Sequence, residues 1–460
     1  MFSGQRAALL GALGVLVGLV LIGGFAAPEV TAFGPQRESP HIPARAPIRI
    51  EFDRRMDRIS VETRFSMEPA IPGEITWEGN TLLYRPIESW PTGQDISVGL
   101  DAGARSTRFL PVLRSLDWSF QVGEPRLAYL WPSGGPSELY LLDLTSQKRS
   151  RLTETEAGVI DYSIGLDGTF IVYTALQEDG SSEIRLMDLE TGSDELLHAC
   201  DAIGRCQAAA ISPDGTLLAF EQFEWETSAA GRRVPGARQV WLVPIGPGGQ
   251  PTRVQPEEQV TSSPDWSPDG ILTFYNDSLG AVIFLEPEGL QPLNLVPNGL
   301  GLLGSWSPDG DYLILPEIVF PSIPEPDGGD QVDFFSHLYR IEAATSDIKD
   351  LSLGMVEDAS PVYSPDGEWI AFGRKFLDER WTPGRQVWIM KADGSQPRPI
   401  TDDPDFSHAS LAWNPDSTRI AYMRLNQADP NEMPEIWMTN REGKVHEFLV
   451  EGGYLPQWIP

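Results

Sequence analysis

Residues 363–372 read YSPDGEWIAF, and near-copies recur: SPDGTLLAF after Ile211, SPDGILTFY after Trp266, SPDGDYLIL after Trp306 and NPDSTRIAY after Trp413. Ser-Pro-Asp-Gly suits a type I turn, with Ser at the first position, Pro setting φ at the second and Gly free to turn left-handed at the fourth. The Asp side chain can accept hydrogen bonds from nearby backbone N–H groups and hold the turn shut. The rival reading is a ring of carboxylates around a cation. A hard cation needs six to eight oxygens within about 2.6 Å, and one acid per repeat, spread around a ring, does not converge. The turn reading assigns Asp167, Asp214, Asp269, Asp309, Asp366 and Asp416 to the scaffold.

These Asp positions are separated by 47, 55, 40, 57 and 50 residues. Each unit runs from an aromatic or Ile through the turn to a strand such as EWIAF, then to one such as RQVWIMKA, and ends in a short stretch such as RPIT. Four strands at this period are the signature of a propeller blade. The ends of the repetitive region are complementary. PRLAYL, SELYLLDL and RSRLT (125–153) make a repeat without its first strand, while the final YLPQWIP aligns with SPDWSPDG as a first strand cut off at its turn. Joining them closes a ring of seven blades and removes exposed sheet edges. The W-S-P-D-G turns with their IAF and VWIM strands resemble TolB-type propeller repeats, related to WD repeats, over about residues 125–460. That resemblance implies a family of binding scaffolds, peptidase gating domains and lyases.

Upstream, Ile48, Ile50 and Phe52 alternate with Arg49 and Glu51, and DISVGL and DWSFQV repeat this period-two pattern. With EITW and TLLY between them, residues 41–122 read as a small β-sandwich. Phe52, Met56-Asp57 and Ser60-Val61 resemble the bacterial Ig-like domain of the SbsA type, which implies a spacer or adhesion module. Residues 28–40 contain prolines but no periodic apolar pattern and read as a stiff linker. From Ala7 to Pro28 no charge occurs, and the 22 residues follow a single Arg6. This length suits an uncleaved transmembrane signal anchor over 1–27 with the bulk outside, and the small residues of GFAAP leave a cleaved signal peptide as the alternative. The expected fold class is therefore all-β: a seven-bladed β-propeller (123–460) closed by its C-terminal strand, an Ig-like β-sandwich and an N-terminal transmembrane helix.

Charge and cysteines narrow the setting. The net charge is −32, nearly all of it in 123–460, which disfavours nucleic acid and anionic lipid as partners. Divalent cations and basic protein patches fit it better. Outside the cytoplasm, the only two cysteines, Cys200 and Cys206, suit a local disulfide. The expected location is membrane-anchored and extracytoplasmic, at the cell surface or in the periplasm.

Sites on propellers gather where the second-to-third and fourth-to-first strand loops meet. The second-to-third loops of blades three, five, six and seven are long, and exposed loops lengthen without disturbing strand packing. They bring Trp225, Arg232, Arg233, Phe334, Phe335, Trp381 and Arg385, aromatic and Arg residues of the hot-spot type. The expected partner is a protein, peptide or glycan at the cell envelope. No cofactor is implied, although Glu357, Asp358, Asp402, Asp403 and Asp405 leave calcium as an alternative ligand. His198, His337, His408 and His446 show no H-x-x-H or H-E-x-x-H spacing, and no G-x-S-x-G elbow or P-loop occurs. Chance carboxylate pairs keep a second reading open, a propeller hydrolase or lyase acting on envelope polysaccharide.

Overall fold

The computed structural model describes residues 27–36, 42–87, 89–200, 204–246, 249–320 and 334–460. The chain divides into two compact units, Met1–Glu124 and Pro125–Pro460.

The first unit is a two-sheet β-sandwich. One sheet runs in the order Val30–Gly34, Ile48–Phe52, Thr81–Pro86, Gly73–Glu78; the other in the order Phe65–Glu68, Asp95–Leu100, Leu116–Gln121. The period-two pattern does the packing. Ile48, Ile50 and Phe52 are buried between Arg49 and Glu51, and meet Ile96, Val98, Leu100, Phe120 and Trp90 across the sandwich. The Trp90 indole N–H donates to the Ala46 carbonyl at 2.8 Å, so its polar end is satisfied inside the core. Part of the expected linker is sheet instead. Val30–Gly34 contains no proline and pairs antiparallel with Ile48–Phe52. Phe33 packs on Trp118 with ring centroids 4.9 Å apart, and the Trp118 indole donates to the Pro35 carbonyl.

The fold class needs one correction. Among the described residues no helix is long and apolar enough to cross a membrane, and the one helix is the five-residue Arg58–Glu62, capped by Asp57. The apolar run expected to form a transmembrane helix lies, up to residue 26, outside the described residues. Apolar length gives a span that would match a bilayer; it is not itself a helix. The chain is all-β without a membrane-spanning helix among its described residues.

The second unit is built of seven four-stranded antiparallel blades. Blade one joins the sequence ends: Lys148–Arg151, Glu138–Asp143, Arg126–Trp131 and then Tyr454–Trp458. Tyr454 lies opposite Leu130 and Trp458 opposite Leu127. Blade two starts at Val159–Ile164, blade three at Gly204–Ile211, blade four at Thr261–Trp266, blade five at Ser305–Trp306, blade six at Val356–Tyr363 and blade seven at Phe406–Trp413.

Burial shows that the ring is closed. Seven apolar clusters each join two neighbouring blades, one for every interface. The cluster between blades seven and one holds Ala421, Ile436 and Val450 against Leu127, Tyr129 and Trp458. Where the residue before the turn is tryptophan, it staples the interface further. The indole N–H of Trp266 donates to the Ala210 carbonyl, that of Trp413 to Val362 and that of Trp458 to Ala412, each in the preceding blade. Trp306 donates to the Thr273 hydroxyl, which itself donates to the Asp265 carbonyl, so a hydroxyl relays the same contact.

The recurrent Asp is a turn residue. Asp214 accepts from the Ser212 hydroxyl at 2.6 Å and the Thr216 N–H at 3.1 Å, and Asp309 accepts from Ser307 and the Asp311 N–H in the same way. Gly215 closes the turn onto the Ser212 carbonyl with φ at 73°, a conformation that favours glycine.

Candidate binding face

Consecutive antiparallel strands send their second-to-third and fourth-to-first connections out of one end of each blade, and the remaining connections out of the other. The first set therefore forms one face of the ring. Neighbouring loops on that face touch. The Gly384 N–H donates to Pro404, and the Trp131 indole donates to the Glu451 carbonyl at 3.1 Å. A Cβ at Gly384 would lie 2.0 Å from the Phe406 carbonyl oxygen, so this loop approaches blade seven as only glycine allows.

Large exposed apolar side chains are unevenly shared between the two faces. Among the described residues of the propeller, Trp131, Leu279, Leu302, Phe320, Phe334, Leu353, Met355, Trp381 and Met433 belong to the first face, and only Leu166 and Val445 to the opposite one. The rest lie on outermost strands. Most of the nine occupy blades five, six, seven and one, and Trp381 is 56 % exposed. Scattered exposed apolar residues are ordinary; their concentration on one face marks an interaction surface.

The seven residues singled out from the sequence fall into three groups. Trp225, Arg232 and Arg233 belong to a hairpin of blade three, where Trp225 extends the strand Leu217–Thr227 and pairs with Pro235. Phe334 is exposed, while Phe335 opens the strand Phe335–Glu342 and stacks on His337. Trp381 is exposed, with the Lys375 ammonium 4.9 Å from its ring centroid. Arg385 is not an exposed anchor. Burial lowers its pKa, it donates to Glu357, and its carbonyl accepts from the His408 ring at 2.7 Å. It supports the rim rather than presenting a free guanidinium.

Beneath the rim, charges are paired in the blades. Arg374 makes a two-pronged contact with Asp358 at 2.7 and 2.6 Å and lies over the Phe372 and Trp388 rings. Arg424 bridges Glu435 and Asp403 across the Phe406 ring. Asp358 is fully buried, so this acid of the proposed calcium set is already held by an arginine. Among the described residues the one group with metal-ligand spacing is His198, Cys200 and Cys206. Its two sulfurs are bonded to each other across a Cα–Cα distance of 5.8 Å, which leaves them no thiolate to offer. Sequence reasoning missed Trp131, Leu353 and Met355, since lone apolar residues in short loops carry no pattern, and it passed over Met433 within the long loop of blade seven.

No protein-family profile matches the chain. Over 210 residues it is 23 % identical to the uncharacterized peptidase YuxL of Bacillus subtilis, covering 39 % of this chain and only 31 % of that protein. Among solved structures, a prolyl endopeptidase aligns with a TM-score of 0.50 at 13 % identity, over 71 % of this chain and 49 % of that one. TolB from Acinetobacter baumannii aligns with a TM-score of 0.42 at 14 % identity, over 86 % of this chain and 83 % of that one. At such identities the likeness concerns the fold. The chain is a β-propeller protein.

Proposed function

We propose that this protein is an extracytoplasmic binding propeller whose second-to-third and fourth-to-first loop face takes a protein partner, centred on blades five to seven and one. The observation that carries the reading is the distribution of exposed apolar side chains among the described residues, nine on that face against two on the other. Trp381 is of the residue type that dominates binding energy at protein interfaces, and Met433, on the neighbouring blade, is of a type enriched in them. The Cys200–Cys206 disulfide and the uncharged run before Pro28 favour an oxidising compartment.

The full chain, immobilised and exposed to an envelope fraction of its source, should recover a saturable partner. Trp381→Ala combined with Met433→Ala should abolish that recovery, while Leu166→Ala on the opposite face should leave it intact. Equal recovery by both variants would remove the apolar face from the function.

A further inference from the structure

One edge of the sandwich carries a cationic and apolar surface built by two segments distant in the chain. Met56 pairs antiparallel with Ser106, and Arg105 with Pro111. The Thr107 N–H donates to the Arg55 carbonyl and the Asp57 N–H to the Arg105 carbonyl, so 53–64 and 101–115 lie side by side. The Arg105 N–H donates to the Ser60 hydroxyl at 3.1 Å, which ties the helix Arg58–Glu62 to the same edge. Met56, Ala104, Ser106 and Val112 are buried. By alternation their neighbours face outward, and Arg55, Arg105, Pro111 and Leu113 are indeed exposed.

Apolar groups stand among these arginines. Four large apolar side chains are exposed among the described residues of this unit, and three lie here: Ile59 at 74 %, Phe109 at 75 % and Leu113 at 59 %. Phe109 stands at the tip of the hairpin with φ at 63°, a conformation that bulky residues seldom adopt, and its N–H donates to the Ser106 carbonyl.

The two segments hold seven arginines and four acids, whereas 41–122 as a whole holds ten arginines and eleven acids. Three of the four acids are engaged: Asp53 with Arg54, Asp57 with the helix cap and Glu62 with the Trp77 indole. Arg55, Arg105, Arg108 and Arg114 are exposed, and none has an ion pair or a side-chain hydrogen bond among the described residues. The chain also enters the sandwich at this edge. The Glu29 N–H donates to the Asp53 carboxylate at 3.1 Å and the Asp53 N–H to the Glu29 carbonyl, so the uncharged run Ala7–Pro28 leads straight to the arginines.

Exposed apolar groups beside unpaired arginines fit a surface that offers phosphates with an apolar layer beneath them. A protein partner must match such protrusions with fitted hollows, whereas a fluid lipid layer closes around any shape. The negative excess of the chain lies in 123–460, and at physiological salt charges more than about 8 Å away are largely screened.

We propose that this edge of the sandwich docks on an anionic membrane surface, with Phe109 and Leu113 entering the interfacial layer and Arg55, Arg105, Arg108 and Arg114 contacting lipid phosphates. The contact is made by folded loops and involves no membrane-spanning segment. Guanidinium forks match phosphate oxygens, and the bonds they make are charge-assisted.

The two cysteines are bonded to each other, so Phe109→Cys gives the whole chain one thiol for an environment-sensitive nitrobenzoxadiazole label. The labelled chain is titrated at physiological salt with vesicles of phosphatidylcholine and phosphatidylglycerol in equal parts, and separately with phosphatidylcholine alone. The expected result is a saturable blue shift on the mixed vesicles and a much weaker one on phosphatidylcholine. An arginine at an anionic leaflet contributes about fivefold in affinity, so Arg105→Gln with Arg108→Gln should weaken the response about tenfold or more. The same label at Leu166→Cys, an exposed apolar position of the propeller, should not respond. Vesicles that sediment the chain without shifting the label at 109 would assign the contact to another segment and overturn the proposal. A shift equal on both vesicles, or unchanged by the arginine pair, would also overturn it. A response to poly-L-glutamate without one to vesicles would assign the edge to an acidic protein instead. Should the arginine pair fail to fold, Arg55→Gln with Arg114→Gln carries the same test. Trp381→Ala with Met433→Ala should leave the vesicle response unchanged, so failure of the propeller face and failure of this edge are read separately.

Discussion

His408 sits on the first strand of blade seven, almost fully buried, with one ring nitrogen bonded to the Arg385 carbonyl at 2.7 Å. Burial pushes its pKa down from 6.5 to about 4, against the raising effect of that hydrogen bond. At high pH the ring is neutral in both folded and unfolded chains. As pH falls through 6.5 the unfolded chain takes a proton that the folded one refuses, so stability drops until about pH 4, where the folded ring protonates. The loss is on the order of 3 kcal/mol. His337 works in the opposite sense: its hydrogen bond to the Asp350 carboxylate raises its pKa, so its contribution is present below 6.5 and fades as pH rises through the folded value. The two windows do not overlap. Urea midpoints of the wild type and His408→Gln, compared from pH 7 to 4, should converge as the pH falls; parallel curves would show that His408 is not held neutral. Nothing in the sequence marked this ring as buried, because a lone His beside Ser407 and Ala409 has no pattern.

Among the elements, the strand Tyr454–Trp458 matters most. It supplies the first strand of blade one, and Trp458 fills the cluster between blades seven and one while donating to the Ala412 carbonyl. Removing residues 454–460 deletes that strand, exposes the inner edge of blade one and empties part of the cluster. Truncating a buried Trp alone costs about 3–5 kcal/mol. The truncated chain should melt well below the wild type and bind hydrophobic dye; an unchanged melting temperature would mean that the strand is dispensable. Proline at Pro456, aligned with Pro264, and tryptophan at Trp458, aligned with Trp266, made this strand legible without its turn. Less visible was the bulge in the inner strands. Ala208, Ser263, Ser360, Ser410 and Leu455 all have φ between 50° and 56°, each in the same place before the turn. The amide of Ala208 is met by Asp161 of the blade before, and that of Ser263 by Glu221. These residue types favour no left-handed backbone, so tertiary partners impose it.

For the whole molecule, the two units keep separate apolar cores. One contains residues from Ile42 to Val122 only; the seven propeller clusters contain residues from Leu127 to Ile459 only. A chain with independent cores should unfold in two steps. Calorimetry of the full chain should resolve two transitions, with the larger enthalpy belonging to the propeller; a single transition accounting for both would refute that independence. The propeller also explains how far the candidate site was readable. Loop length singled out the hairpin of blade three and Trp381, because insertions stand out against blades of regular period. It also singled out Arg385, whose guanidinium donates to Glu357, and passed over Met433 and Trp131, which stand on one face with neighbours distant in the chain.

By itself the sequence determined the repeat, the turn chemistry of its Asp residues, the alternation that buries Ile48, Ile50 and Phe52, and the complementarity of the two ends of the ring. All of these are local or periodic, set by backbone geometry that a few residues specify. The tertiary structure alone decided which exposed side chains share a face, which arginines are spent on buried acids, and how Arg55 and Arg105 come to share one edge of the sandwich. Those depend on strand register and on the meeting of loops far apart in the chain, where no spacing along the sequence records the distance.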